Sequence, residues 1–304
     1  MLKSYPNVEA VRKPQVADWP REQVAINDEL PPQKGLLTRI NAHPVAMHYH
    51  RLIALVAVVN VTYFVYRLAQ GLWWTAEGNA DFGTIALGSI ANLVVINISA
   101  AILIRQQYVI NFLFWAATSA PTSWPLRIRR VLGKVYHFGG IHVGGAIFGT
   151  IWFAGFVGAL TYHWVNGLAG ATPALLAVTY GLLALLIGMV VLAMPPFRAK
   201  YHDQFELMHR FGGWASLILF WVQTVLFVNQ GRGDIGLGLA LVNSLSFWLL
   251  IAVTISIALP WLRLQKVAVK IDSPSSHVAL AKFDYGVTPF AGSSTTLSRN
   301  PLIE

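Results

Sequence analysis

The chain has 304 residues and not one cysteine. Disulfides, thiolate zinc sites, iron–sulfur clusters and thiol catalysis are therefore all excluded. Charge is scarce as well. Only 12% of the residues are Asp, Glu, Lys or Arg, against roughly 25% in an ordinary soluble domain. The N-terminal stretch "MLKSYPNVEAVRKPQVADWPREQ" has no apolar core, so it is not a signal peptide. It reads as a partly disordered cytoplasmic extension over residues 1–50. A phosphate-cradling loop is missing too. The one glycine-rich run, "GRGDIGLGLA" (231–240), follows no strand and falls in an outer loop, so it is not a nucleotide site.

What the chain does have is apolar length. Hydrophobic residues make up 55% of it, and a helix needs about 20 such residues to cross a bilayer. Six segments qualify: 52–72, 84–104, 137–160, 173–194, 208–229 and 238–262. A seventh, "YVINFLFWAAT" (108–118), is too short and reads as an interfacial or re-entrant piece. The predicted fold is an all-α, six-helix transmembrane bundle over 51–264, followed by a cytoplasmic tail over 265–304.

The charges support this map. With both termini, the 105–134 loop and the 195–210 loop on one side, that side carries 20 of the 22 Lys and Arg residues. The exceptions are Arg67, inside the first span, and Arg232, in an opposite loop. Such asymmetry obeys the positive-inside rule with both termini cytoplasmic. It also accounts for a net charge of +9 without invoking nucleic acid, because the basic residues share no single face outside the membrane. Trp73, Trp74, Trp164 and Trp261 sit near span ends, as interfacial aromatics do. The expected setting is an integral membrane protein in contact with lipid, in a bacterial inner membrane.

Seven of the nine histidines, His43, His48, His50, His137, His142, His202 and His209, fall at the cytoplasmic side on this map. The third and fifth spans both enter the bilayer there, carrying "HFGGIH" and "HDQFELMHRFGGW". They bring imidazoles to similar depth on two helices, as bis-histidine haem b ligation requires. At 100° per residue His142 shares a face with Gly145, Gly149 and Phe156, while His137 lies about 140° away. His209 shares its face with Gly213, Ser216 and Phe220. His202 follows that face but lies about 10 Å lower. Small residues beside a ligating histidine leave room for a flat macrocycle. Equally, Gly140, Gly144, Gly145 and Gly149 can serve close helix packing.

Three alternatives stay open at this point. His202, Glu206 and His209 share a helical side and could form half of a zinc or non-haem iron site. In the simpler reading, Asp203 and Glu206 pair with Arg198, Lys200 or Arg210. A non-enzymatic transporter or scaffold could use the histidines as proton or metal relays, with Asn92, Asn97 and Gln223 inside spans. A quinone-reactive cytochrome b anchor would need no flavin partner. His43, His48 and His50 could face haem propionates or a docked flavin, or be interfacial residues without chemistry.

"FELMHRFGGW" (205–214), with "HFGGIH" opening the third of six spans, resembles the ferric-reductase-like transmembrane superfamily of ferric reductases and NADPH oxidases. The nearest branch is that of integral-membrane flavin reductases associated with peptide-synthetase-like adenylating enzymes. The tail "VKIDSPSSHVALAKFDYGVTPFAGSSTTLSRNPLIE" is similar to the start of a ferredoxin-reductase-type FAD-binding β-barrel. The resemblance implies that cytosolic NAD(P)H reduces FAD and that electrons then pass to haem held by His142 and His209, with His137 as the alternative to His142. It also implies a departure. Many members hold a second haem with histidines roughly four turns further along each helix, where this chain has Phe156 and either Val222 or Gln223. One inner haem is expected. FAD and NAD(P)H are expected on a missing domain or partner subunit, and the electron acceptor is unknown.

Overall fold

The computed structural model describes residues 35–71, 73–75, 84–275, 277–288 and 297. Residues 1–34 of the expected N-terminal extension, and most of the tail beyond 288, lie outside the described residues. The described chain forms two compact units: a helical one running from Ile40 to Arg263, and a smaller one that contains the segment Leu264–Pro289.

The helical unit opens with α1 (Leu36–Ala42, which begins just before it) and α2 (His48–Ala69). A two-residue strand pair follows, β1 (Trp74–Thr75) antiparallel to β2 (Thr84–Ile85). Then come α3 (Leu87–Leu103), α4 (Gln107–Thr118), α5 (Leu126–Leu132) and α6 (Gly139–Val165). The second half holds α7 (Pro173–Ala193), α8 (Pro195–Lys200), α9 (His202–Leu207), α10 (Gly213–Gly231), α11 (Leu237–Val242) and α12 (Leu245–Leu262).

Five stretches are long and apolar enough to cross a membrane, and six if α3 and α4 count as one bent span. The bend between α3 and α4 is 63°. Its cause is local: the Gln106 side chain accepts hydrogen bonds from the backbone N–H groups of Tyr108 and Val109, capping a new helix just after α3 ends. Arg263 at the end of α12 donates a hydrogen bond to the Tyr108 hydroxyl, holding α4 from the other side.

Two boundaries differ from the sequence reading. The stretch expected as one span over 238–262 breaks into α11 and α12, because Ser244 is extended at the N-cap of α12 (φ −90°, ψ 128°). The Asn243–Ser244 pair favours a cap over a helix interior. Trp73, expected at an interface, is buried; its ring lies 5.5 Å from Trp152 and its indole N–H donates to the Phe64 carbonyl. By contrast α7 starts as its sequence dictates, with Pro173 in its first turn and the Thr172 hydroxyl accepting from the Leu175 N–H.

The packing is that of a ring. α3 packs on α6, α6 on α7, α7 on α10, α10 on α12, and α12 returns to α3; α2 lies outside, against α6. Glycine makes the tightest contacts possible. A Cβ at Gly140 would come within 2.2 Å of the Tyr49 carbonyl oxygen on α2, and one at Gly145 within 2.7 Å of the Asn97 carbonyl oxygen on α3. Asn60 of α2 and Asn97 of α3 bridge their helices, and Trp152 of α6 donates to the Asn60 amide oxygen at 2.7 Å. Much of the outward surface is apolar: Leu55, Val58, Val59 and Phe64 of α2 are all exposed. Such a surface is costly in water and natural in lipid.

In the smaller unit β3 (Val269–Ser275) pairs with β4 (Val278–Phe283) as an antiparallel hairpin, Val269 opposite Phe283 and Ile271 opposite Ala281. Lys282 and Asp272 form an ion pair across it at 2.9 Å.

Candidate functional site

The ring of helices encloses a cavity of about 1150 Å³. Its walls are mostly apolar. Its histidines and arginines are His50, Arg105, His142, Arg198, His209 and Arg210. Five of the six come from the chain segments that the charge pattern assigns to the cytoplasmic side, and His142 stands near the start of the span that follows one of them.

His142 stands one turn into α6, and its Nδ1 lies 2.8 Å from the Ala101 carbonyl oxygen of α3. His209 stands in a π-helical turn, Met208–Gly212, between α9 and α10. Its Nδ1 lies 3.2 Å from the Phe205 carbonyl oxygen. A carbonyl can only accept, so in both rings Nδ1 carries the proton and donates it. In a neutral imidazole Nε2 is then the lone-pair nitrogen, which is the arrangement second-shell hydrogen bonds impose on metal-ligating histidines. Phe205 also places its ring 4.3 Å from that of His209, and the Arg198 guanidinium lies over the Phe205 ring, 5.9 Å from its centre.

α6 and α10 are not neighbours in the ring of packed helices, so the two histidines belong to walls that face each other across the cavity. Further along, the walls meet through aromatic rings: Phe153 lies 5.7 Å from Phe220 and Phe156 5.3 Å from Phe227. The α6 surface on the cavity carries Val143, Ala146, Ile147 and Thr150.

The remaining expected site residues separate clearly. His137 sits in a 3-10 turn before α6 and packs edge-on against His48 of α2, with ring centroids 5.9 Å apart; neither lines the cavity. His202 is exposed and pairs with Glu206 at 3.3 Å. The half-site imagined for His202, Glu206 and His209 is not assembled, and the described residues hold no group of three or more His, Cys, Asp or Glu suited to a metal ion. Counting a uniform 100° per residue misses the π turn that lies in this stretch. Gly213 lines the cavity, and a Cβ there would meet nothing within 4 Å. Gly145 and Gly149 do not line it. They lie on the α3 seam, where a Cβ would strike the Asn97 carbonyl oxygen and the Ile98 side chain. The cradle expected of these two glycines is instead helix packing, because His142 itself leans toward α3 to reach Ala101.

Two proteins of Coprinopsis cinerea, both named adenylate-forming reductases, are similar to this chain. One (06235) is 39% identical over 285 residues, covering 92% of this chain and 26% of that protein. The other (03009) is 38% identical over 284 residues, covering 91% and 26%. The chain thus spans about a quarter of the length of these curated relatives. No family model and no solved structure matches it. The relatives are named reductases, which agrees with an oxidoreductase role. Both are fungal, so the comparison lends nothing to the bacterial membrane expected above.

Sequence reasoning passed over the three arginines of the cavity wall. In the sequence Arg105 reads only as a topology marker, and Arg198 and Arg210 as that or as ion-pair partners of Asp203 and Glu206, although each lies within a few residues of a span end. That position was the available signal. Arg67, the span-bound exception, donates to Ser89 at 2.9 Å and stacks over Trp73 at 5.1 Å.

Proposed function

We propose that this chain is the membrane-spanning, haem b-holding part of a reductase, with six spans and cytoplasmic termini. The observation that carries the reading is the His142–His209 pair. The two imidazoles line one cavity from opposed helices, each with Nδ1 committed to a backbone carbonyl. The residues suit the group. A porphyrin brings four nitrogen donors of its own, so two axial histidines suffice and a cluster of three protein ligands is not needed. Apolar walls suit the macrocycle, and Gly213 leaves space beside His209. Arg105, Arg198 and Arg210 would face the propionates. When bound, a six-coordinate haem relays single electrons rather than binding oxygen.

The chain's own residues do the positioning. The Ala101 and Phe205 carbonyls fix the ring planes and tautomers, and the apolar walls exclude water. The ferric-reductase-like superfamily is the family this reading assigns, with electrons supplied by FAD and NAD(P)H on a further domain or subunit. The β3–β4 hairpin fits the opening of a flavin barrel: two strands alone are marginally stable in water, and Ile271, Val278 and Leu280 are exposed on it. For the transporter alternative, Asn97 is already spent on the Asn60 pair.

The test is a dithionite-reduced minus oxidised absorption spectrum of the detergent-purified chain supplied with haem. A sharp b-type signal, lost in His209→Ala, is the expected result. A featureless spectrum from folded protein overturns the proposal.

A further inference from the structure

The cavity continues well beyond the histidines, along the helices toward the opposite end of the spans. Gln223 lies 14 residues after His209, about 21 Å further along, and it lines the cavity although it is only 6% exposed. Among the described residues no hydrogen bond reaches its side chain, and its amide opens on the cavity rather than being sealed in the packing. Thr224 beside it is equally buried, and Asn92 of α3 lines the same end of the cavity. Phe156 and Phe227 stand at this depth. No charged residue lines this half; the arginines and histidines of the wall all belong to the other end.

We infer that this outer half binds an uncharged, flat, carbonyl-bearing lipophile of the quinone class. An acyl chain laid over the Gln223 amide would strip it of water and return no hydrogen bond, at a cost of about 1–3 kcal/mol. A quinone carbonyl accepts from the Gln223 amide and removes it, while its ring packs on the phenyl groups. A charged ligand would find no counter-charge here. Space is available for it: single small-molecule sites run to roughly 300–1,000 Å³, and this cavity exceeds that range. The inference goes beyond the haem proposal and does not depend on iron, so it is tested on haem-free protein.

The experiment titrates the detergent-purified, haem-free chain with decylbenzoquinone and with decylbenzene, which has the same tail on a flat six-membered ring but no carbonyls. Heat of binding is the readout. Saturable quinone binding, at least tenfold tighter than decylbenzene, is expected. Gln223→Leu, which keeps the side-chain volume, should weaken quinone binding about tenfold, the worth of one good hydrogen bond, and leave decylbenzene unchanged. An unchanged melting temperature shows that the variant is folded; if it is not, Gln223→Met replaces it under the same criterion. Equal binding of both compounds, equal binding of the quinone to wild type and variant, or no saturable quinone binding by folded protein overturns the inference. A missing haem spectrum would leave these outcomes untouched.

Discussion

Asn60 and Asn97 exchange amide hydrogen bonds of 3.0 and 2.9 Å between α2 and α3, in the apolar middle of both helices. Each amide also donates to a carbonyl of its own helix, Val56 for Asn60 and Leu93 for Asn97. The amide donors and oxygens are thereby satisfied where water is absent. Removing one partner strands the other, whereas removing both ends the need between them and leaves only the Trp152 indole N–H without its acceptor. Asn97→Leu should therefore destabilise the purified protein by about 1–2 kcal/mol. The Asn60→Leu, Asn97→Leu double variant should lose less than the sum of the two single losses. Thermal unfolding in detergent, compared across the four proteins, checks this.

Of the four histidines named as ligand candidates, two line the cavity and two do not. His142→Ala and His209→Ala should each abolish the b-type difference spectrum. His137→Ala and His202→Gln should leave it intact. The exposed His202–Glu206 pair is worth no more than about 0.5 kcal/mol, so His202→Gln should also melt within a degree or two of wild type.

Glycines that look alike in sequence should respond in opposite ways. Gly140→Ala drives a methyl into the Tyr49 carbonyl, a backbone atom that can move only with α2, and should cost about 1–3 kcal/mol. Gly213→Ala meets open space. In haem-free protein it should be neutral, or stabilising by up to about 1 kcal/mol through helix propensity. With haem supplied, the added methyl should lower the fraction of protein that takes up the cofactor. Melting curves and haem stoichiometry, measured side by side, separate the two effects.

The arginines of the cavity wall give a fourth expectation. Arg105→Gln and Arg210→Gln should each weaken haem retention severalfold while keeping the wavelength of the reduced α-band, because the axial ligands stay in place. Haem transfer to an apo-globin acceptor would report the rates. A shifted band would show that the substitution had disturbed His142 or His209 instead.

The long apolar helices were legible because apolar length alone marks them. His142 and His209 stood out in the sequence by their places near the start of two such helices, and both line the cavity. Which of two roles Gly145 and Gly149 play, cradle or packing, was not legible, since helical phase gives a residue's face but not which neighbour occupies it. The π turn at Met208–Gly212 was hidden for a related reason: counting at a fixed angle assumes the regularity that this turn breaks. The α11–α12 break turns on one extended residue, Ser244, inside an otherwise apolar run. That is below the resolution of a hydropathy window.

The glycine seam has a mechanical consequence. α2, α3 and α6 approach so closely at Gly140, Gly144, Gly145 and Gly149 that they must travel as one block, and His142 is riveted to that block through Ala101. His209 has no such anchorage. Among the described residues its hydrogen bond stays within its own helix, in a turn that packs on α7 and whose wider winding can tighten or slip by a residue. For the haem proposed above, the cavity would be a vice with one fixed jaw and one sprung jaw, and loading and release would fall to the jaw that carries His209.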